Sequence, residues 1–139
     1  MEYNDVKNGL KAGLKFAGID ETTAAHLLWR GEEWTLGQGE IIYSEGEALD
    51  QTFCLLLAGS LQITKKQSVI AELVEPRFFG EMAYFASPRT RRATVTVSSM
   101  QAVILKVHLT ASELASARFA SLREYLSRQT WDRMIALAA

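Results

Sequence analysis

Short apolar stretches, separated by glycine or polar residues, fill the middle of the chain. They are rich in valine, isoleucine, leucine, threonine and aromatic residues, and they span residues 34–36, 40–43, 52–58, 60–65, 68–74, 91–98 and 102–107. In the stretch 91–98, alanine and valine alternate with threonine and serine, which is the period of a strand with one buried face. Strands of this length and spacing predict an antiparallel β sandwich or roll.

Helical patterns flank this β region on its N-terminal side. Asp20 is a suitable N-cap for a helix that runs to about Arg30 and stops at Gly31. Within residues 1–18, Val6, Leu10 and Leu14 recur at every fourth position, which predicts a further amphipathic helix. We interpret that helix as surface packing or, alternatively, as a linker that docks on a partner domain.

The C-terminal region from Ser112 onward also has a helical period, with Glu113 in the first turn. Its apolar residues form two stripes, the first at residues 119, 122 and 126 and the second at 131, 134, 135 and 138. The second stripe is rotated from the first by roughly a third of a turn. We therefore expect that the helix bends or that its end covers a separate partner.

Composition narrows the class of protein. The chain has 139 residues, 48% of them apolar, and a net charge of −1, so we expect one domain that does not bind nucleic acid. No apolar stretch approaches the ~20 residues that span a membrane and no signal peptide is present, so we expect no membrane contact by this chain. The single cysteine, Cys54, lies in an apolar run and predicts a buried thiol in a reducing, cytoplasmic compartment.

The polar groups that suggest a binding site converge on one segment, Phe79-Gly80-Glu81-Met82-Ala83 followed by residues 88–95. Gly80 reads as a turn before one short helix, and a cluster of arginines enters the next strand. Between Glu81 and Glu113 every charged residue is cationic. Because the local field favours an anion, we predict a pocket for a small phosphorylated ligand.

Arg91 is the arginine that we expect inside the pocket. In a strand over 91–98 it is in phase with Ala93, Val95 and Val97, the apolar set, whereas Arg92 is in phase with the threonines. An inward arginine without an anion would be an unpaired buried charge, which is costly. A fork-like, charge-assisted contact to phosphate would resolve that cost.

Four segments, in this order along the chain, resemble the cyclic nucleotide-binding domain family, which includes the ligand domains of catabolite activator-type regulators, cyclic-nucleotide-dependent kinases and gated channels. They are residues 14–19, 39–47, 53–61 and 79–95. The resemblance implies an α+β fold: an antiparallel β-roll (double-stranded β-helix or jelly roll) with a short phosphate-cassette helix and flanking N- and C-terminal helices. It divides the chain into a helical lead-in, 1–19, and a binding domain, 20–139.

The resemblance also implies the ligand contacts. Arg91 would take the phosphate, the carboxylate of Glu81 would take the ribose 2′-hydroxyl, and backbone amides at the helix N-terminus and the strand would complete the cradle. The full set is Phe79, Gly80, Glu81, Met82, Ala83, Arg91, Arg92 and Ala93. The family usually has a small residue at the position of Arg92, so this arginine puts the usual contact to the base in doubt.

The expected function is a regulatory module without catalytic or metal-binding residues. It would bind cAMP or cGMP, use no cofactor, and signal through its C-terminal helix to an output domain or a homodimer partner. The sequence shows no helix-turn-helix after that helix, so we expect no direct DNA regulation by this chain.

Two alternatives remain open. One is a degenerate, ligand-free descendant of the same fold, used for interaction or dimerisation. The other is a small cupin-like enzyme, which the wide separation of His26 and His108 disfavours because cupins usually hold a metal with clustered histidines.

Overall fold

The computed structural model describes residues 19–74, 77–81, 84 and 90–138, the last eight of these by their backbone. The elements are α1 (Glu21–Arg30), β1 (Gly31–Gly37), β2 (Ile41–Tyr43), β3 (Thr52–Ala58), β4 (Ser60–Lys65), β5 (Ser68–Val74), β6 (Arg77–Phe79), β7 (Thr94–Val97), β8 (Gln101–His108), α2 (Ala111–Leu114), a 3₁₀ turn (Ala117–Phe119) and α3 (Ala120–Ala138). The predicted N-terminal helix lies outside the described residues.

The strands form two four-stranded antiparallel sheets, ordered β1-β8-β3-β6 and β2-β7-β4-β5. Consecutive strands often fall in different sheets, so the chain crosses between the two layers as it does in a β-roll. The predicted α+β fold with an antiparallel roll and a C-terminal helix is therefore confirmed.

The first sheet is buried on both faces, which explains why β3 reads as an unbroken apolar run. Its alternate residues Phe53, Leu55 and Leu57 pack with the helices in one cluster. Cys54 and Leu56 pack toward the second sheet in another cluster. The predicted burial of the Cys54 thiol is confirmed at 0% exposure.

The strand predictions succeed where a clear turn separates two runs. The predicted bounds 52–58, 60–65 and 68–74 match β3, β4 and β5. The prediction misses β6, a three-residue strand that ends at Phe79, just before Gly80, because it is too short to show a period. The predicted strand 91–98 is too long: β7 begins only at Thr94.

The backbone at Arg91 explains that difference. Its N–H donates to the Glu47 carbonyl (2.9 Å) and its carbonyl accepts from the Gly46 N–H (2.8 Å). Arg91 therefore pairs with the turn after β2, ahead of the sheet ladder that starts at Thr94. Of the residues that the phase predicts to point inward, Arg91, Val95 and Val97 are buried, whereas Ala93 is half-buried.

Helix starts follow their capping residues. The Asp20 carboxylate accepts from the Thr23 N–H at 2.8 Å, as expected for the N-cap of α1. In the C-terminal region the cap is Thr110, two residues before the predicted start, because Thr110 and Glu113 form a reciprocal capping box. The C-terminal helical region is divided, since a short α2 and a 3₁₀ turn precede α3.

The first C-terminal stripe packs as predicted. Phe119, Leu122 and Leu126 are 4%, 0% and 0% exposed and belong to the cluster on the helix side of the first sheet. This packing sets α3 against β6, directly before the predicted binding segment. The second stripe, residues 131–138, lies where side chains are not described.

Candidate functional site

Arg91 lies at the centre of the candidate site with 6% of its surface exposed. Its Nη1 donates to the Gly80 carbonyl at 2.9 Å, and its Nη2 donates to an Asp50 carboxylate oxygen at 2.7 Å and to the Thr52 carbonyl at 3.2 Å. The guanidinium carbon lies 3.7 Å from the centroid of the Tyr43 ring. Three segments, at residues 43, 50–52 and 80, thus fix the orientation of the guanidinium.

The expectation that Arg91 has no anionic partner inside the chain is wrong, because Asp50 forms an ion pair with it. Partial burial by itself would raise the pKa of Asp50, but the Thr52 hydroxyl and the Arg91 guanidinium outweigh it and lower that pKa below its ordinary value. Asp50 therefore stays charged at neutral pH and can offset the buried cation. The Asp50 side chain is 53% exposed, so water screens the pair.

One nitrogen of Arg91, Nε, takes no part in these contacts. The Nε–H is buried and has no hydrogen-bond partner among the described residues. A buried N–H without an acceptor costs roughly 1–3 kcal/mol. An oxygen atom placed beside Nε would remove this cost without breaking the contact to Asp50.

Gly80 brings the backbone close to the arginine, as its position in the predicted turn requires. Its φ is +81°, and a Cβ added there would lie 2.8 Å from a carbon of the Tyr43 ring and 3.3 Å from Arg91 Nη1. Only glycine meets both conditions without strain. The preceding residue, Phe79, is 1% exposed and packs edge-on against Tyr43, so it supports the site from the core.

Glu81, the predicted ribose contact, is buried with 0% exposure. Its carboxylate oxygen accepts a hydrogen bond from the side-chain amide of Gln129 at 2.9 Å. The same Gln129 nitrogen donates to the Phe78 carbonyl at 3.0 Å. Since Gln129 belongs to α3, the C-terminal helix is bonded directly to the predicted ligand contact.

The remaining predicted residues divide into two groups. Arg92 and Ala93 follow Arg91 in a bend and are half-buried. Met82 and Ala83 lie outside the described residues. Arg91, Gly80 and Phe79 therefore come together in space, with Glu81 next along the chain.

Sequence reasoning missed four residues that touch this site, namely Tyr43, Asp50, Thr52 and Gln129. Tyr43 and Thr52 sit at strand positions that gave no sign of contact with an arginine about 40 residues later. The Tyr43 hydroxyl bonds the Thr52 hydroxyl at 2.9 Å. Burial raises the pKa of Tyr43, so this hydroxyl stays protonated.

A further cation near the site is Lys106, whose position in β8 faces the space between the sheets. Its ammonium lies 4.8 Å from the Trp34 ring centroid and 5.4 Å from that of Tyr43. The described charged residues around Tyr43 therefore include two cations, Arg91 and Lys106, and one anion, Asp50. Metal chemistry has no support in the described part of the chain, where no group of three or more His, Cys, Asp or Glu side chains could hold an ion.

Two solved structures share this architecture. cAMP-bound PfPKA-R gives a TM-score of 0.77 at 22% identity, over 98% of this chain and 45% of that one. A regulatory subunit of a cAMP-independent protein kinase A from Trypanosoma brucei gives 0.73 at 15% identity, over 96% and 48%. Identities this low show the fold alone, and the two descriptions differ on cAMP.

Sequence comparison identifies the family. The Pycsar effector protein RsmPycTIR of Rhodovulum sp. (strain MB263) is 34% identical over 92 residues, 65% of this chain and 36% of that protein. The chain thus spans about a third of the length of this curated relative. A family model described as cyclic nucleotide-binding domain matches residues 33–118, more than half of the chain. The chain therefore belongs to the cyclic nucleotide-binding domain family.

Proposed function

We propose that this chain binds a cyclic nucleotide, cAMP or cGMP, and signals its occupancy through α3 to an output domain or a partner. The phosphate would lie against Arg91 and the backbone amides of residues 82, 83, 92 and 93. The ribose 2′-hydroxyl would donate to Glu81. No step of covalent chemistry is assigned to these residues, so the proposed role is regulatory.

The buried Nε–H of Arg91 is the observation that carries this proposal. A phosphodiester oxygen beside Nε would gain a charge-assisted hydrogen bond, while Nη1 and Nη2 keep their contacts to Gly80 and Asp50. The nearby ammonium of Lys106 adds to the attraction for an anion. The family membership then favours the cyclic monoanion among phosphorylated ligands.

Thermal melting tests the proposal. Ligand at 100 times its dissociation constant adds about 2.7 kcal/mol to the free energy of unfolding, a shift of several degrees for a domain of this size. We expect such a shift with cAMP, cGMP or both, and none with the matching linear 5′-monophosphates at equal concentration. Absence of a shift with both cyclic nucleotides at millimolar concentration would refute the proposal.

A second candidate function is a ligand-free interaction module. It is favoured by the internal partners of the two main contacts, since Asp50 already neutralises Arg91 and Gln129 already bonds Glu81. Arg92, where the family usually has a small residue, points the same way. The melting experiment separates the candidates, because a ligand-free module shows no shift while it still folds cooperatively.

The proposal assigns residues 20–139 to the binding domain and residues 1–19 to a lead-in. It places the protein in the cytoplasm, where the buried Cys54 thiol stays reduced. Among the described helices, none is long and apolar enough to cross a membrane. The partner that receives the signal is an output domain or a second copy of the chain, contacted through α3.

A further inference from the structure

The carboxylate of Glu81 is closed off from solvent in this structure. Its exposure is 0%, and one of its oxygens holds the Gln129 amide at 2.9 Å. A ligand hydroxyl that bonds this carboxylate must first reach it. Some group that covers Glu81 therefore has to move when a ribose enters.

Gln129 is one group that covers Glu81 and holds it by a hydrogen bond. Its amide nitrogen donates to Glu81 and also to the Phe78 carbonyl, at 2.9 and 3.0 Å. An amide N–H aimed at a carboxylate oxygen makes the same kind of bond that a ribose 2′-hydroxyl would make. In chemical terms, Gln129 stands in for the sugar hydroxyl.

The helix that carries Gln129, α3, also packs against β6, the strand that leads to Glu81. The ring centroids of Tyr125 and Phe78 lie 5.9 Å apart, and Leu126, which also belongs to α3, is fully buried. Displacement of Gln129 from Glu81 thus loosens one polar tie of α3 while this apolar anchor remains. The hydrogen bond between Gln129 and Glu81 is therefore positioned to respond to the ligand. The apolar contact of Tyr125 with Phe78 limits how far the helix moves.

We infer that Gln129 is an affinity- and specificity-determining residue of the ligand site, which occupies Glu81 until a ribose 2′-hydroxyl displaces it. This inference rests on the proposed function. Gln129 competes with the ribose for Glu81 and so lowers ribonucleotide affinity. The contact of α3 that the ligand breaks is the hydrogen bond from Gln129 to Glu81. A 2′-deoxy ligand cannot donate to Glu81 and would leave Gln129 in place.

The test replaces Gln129 with methionine, which keeps the side-chain length and removes both donors. Binding of cAMP, cGMP and their 2′-deoxy analogues is measured by titration calorimetry on the whole 139-residue chain. The matched control is Gln38→Met, because the Gln38 amide also donates to a backbone carbonyl, that of Ser98 at 3.1 Å, away from this site. Melting temperatures of both variants show whether each remains folded.

We expect Gln129→Met to tighten the ribonucleotide by about tenfold, the effect of one competing hydrogen bond, and to leave the 2′-deoxy ligand within about twofold. Gln38→Met should change neither. Weaker ribonucleotide binding by Gln129→Met, or an equal change for both ligands, would overturn the inference.

The same measurements distinguish failure of the proposed function from failure of the inference. If wild type binds neither ligand form, the proposed function fails and the inference falls with it. If wild type binds but Gln129→Met keeps the same ratio of ribo to 2′-deoxy affinity, the inference alone fails. If Gln129→Met does not fold, Gln129→Leu is measured instead. Leucine also lacks a donor to Glu81, so this variant should likewise tighten ribonucleotide binding relative to the 2′-deoxy ligand, and failure to do so counts against the inference.

Discussion

Replacement of Arg91 by methionine gives the sharpest test of the site. Methionine fills the buried space beside Tyr43 but removes the charge and every donor. The variant loses at least one charge-assisted hydrogen bond to the phosphate, which is worth about 1.5–3 kcal/mol, together with the attraction between the charges. We therefore expect cyclic nucleotide binding to weaken by about 100-fold or more.

The same substitution affects stability, and the structure sets the size of the effect. Breaking a fully buried ion pair costs about 3–5 kcal/mol, but the side chain of Asp50 is 53% exposed and stays hydrated when Arg91 is gone. The Gly80 and Thr52 carbonyls lose a donor each. We expect a net loss of about 1–2 kcal/mol in the free energy of unfolding, because breaking a half-exposed ion pair costs less than breaking a fully buried one.

The matched control is Arg92→Met, which removes an adjacent, half-buried guanidinium. Titration calorimetry with the nucleotide that wild type prefers compares the two variants, and urea unfolding gives their stabilities. We expect less than a fivefold loss of affinity for Arg92→Met, because its backbone amide is kept. A larger loss of affinity for Arg92→Met than for Arg91→Met would refute the assignment of the inward arginine.

Three further predictions concern stability and reactivity. Gly80→Ala should destabilise the protein at least twice as much as Gly39→Ala in urea unfolding: both positions have positive φ, which costs roughly 1–2 kcal/mol for alanine, but only at Gly80 would the new Cβ meet the Tyr43 ring. Equal losses would contradict the packing described here. Glu113 forms an ion pair with Arg30, and the hydrogen bond from Arg30 lowers the pKa of Glu113 to about 2. The contribution of this pair to the free energy of unfolding is therefore present above the ordinary pKa of 4.5 and is lost as pH falls toward 2. The melting temperature of Glu113→Gln should accordingly lie below that of wild type at pH 6, and the gap should close on acidification; a constant gap would rule this out. Burial raises the pKa of Cys54 to about 12, so its thiol should not react with a disulfide reagent at pH 8 until urea unfolds the chain.

The strands could be predicted from the sequence where the pattern is local. β3, β4 and β5 are bounded by Gly59 and by the Lys66-Gln67 turn, and all three turn residues have positive φ. Polar punctuation between apolar runs was enough to place these boundaries. β6 escaped prediction since three residues before a glycine carry no period.

The site was predictable in part for the same reason. The phase of residues 91–97 identified Arg91 as buried, although the ladder begins only at Thr94. The partners of the two key groups could not be predicted, because Asp50 lies 41 residues before Arg91 and Gln129 lies 48 residues after Glu81. Such contacts depend on the crossing of the chain between sheets and on the docking of α3, which single-residue patterns do not encode.

The phosphate and the ribose of the proposed ligand differ in whether they must displace a hydrogen-bond partner that is already present in the site. This difference predicts a measurable binding preference of the wild-type chain. At the phosphate end, Arg91 Nε–H is without a partner among the described residues, so a phosphate gains a bond there without displacing Asp50. At the ribose end, the 2′-hydroxyl can form a hydrogen bond to Glu81 only by displacing Gln129. The free energy gained from the new bond is therefore nearly cancelled by the free energy lost with the old one. Wild type should therefore prefer the ribonucleotide to its 2′-deoxy analogue by less than about tenfold, the value of one net bond. A preference of 100-fold or more would mean that the ribose meets no competitor at Glu81.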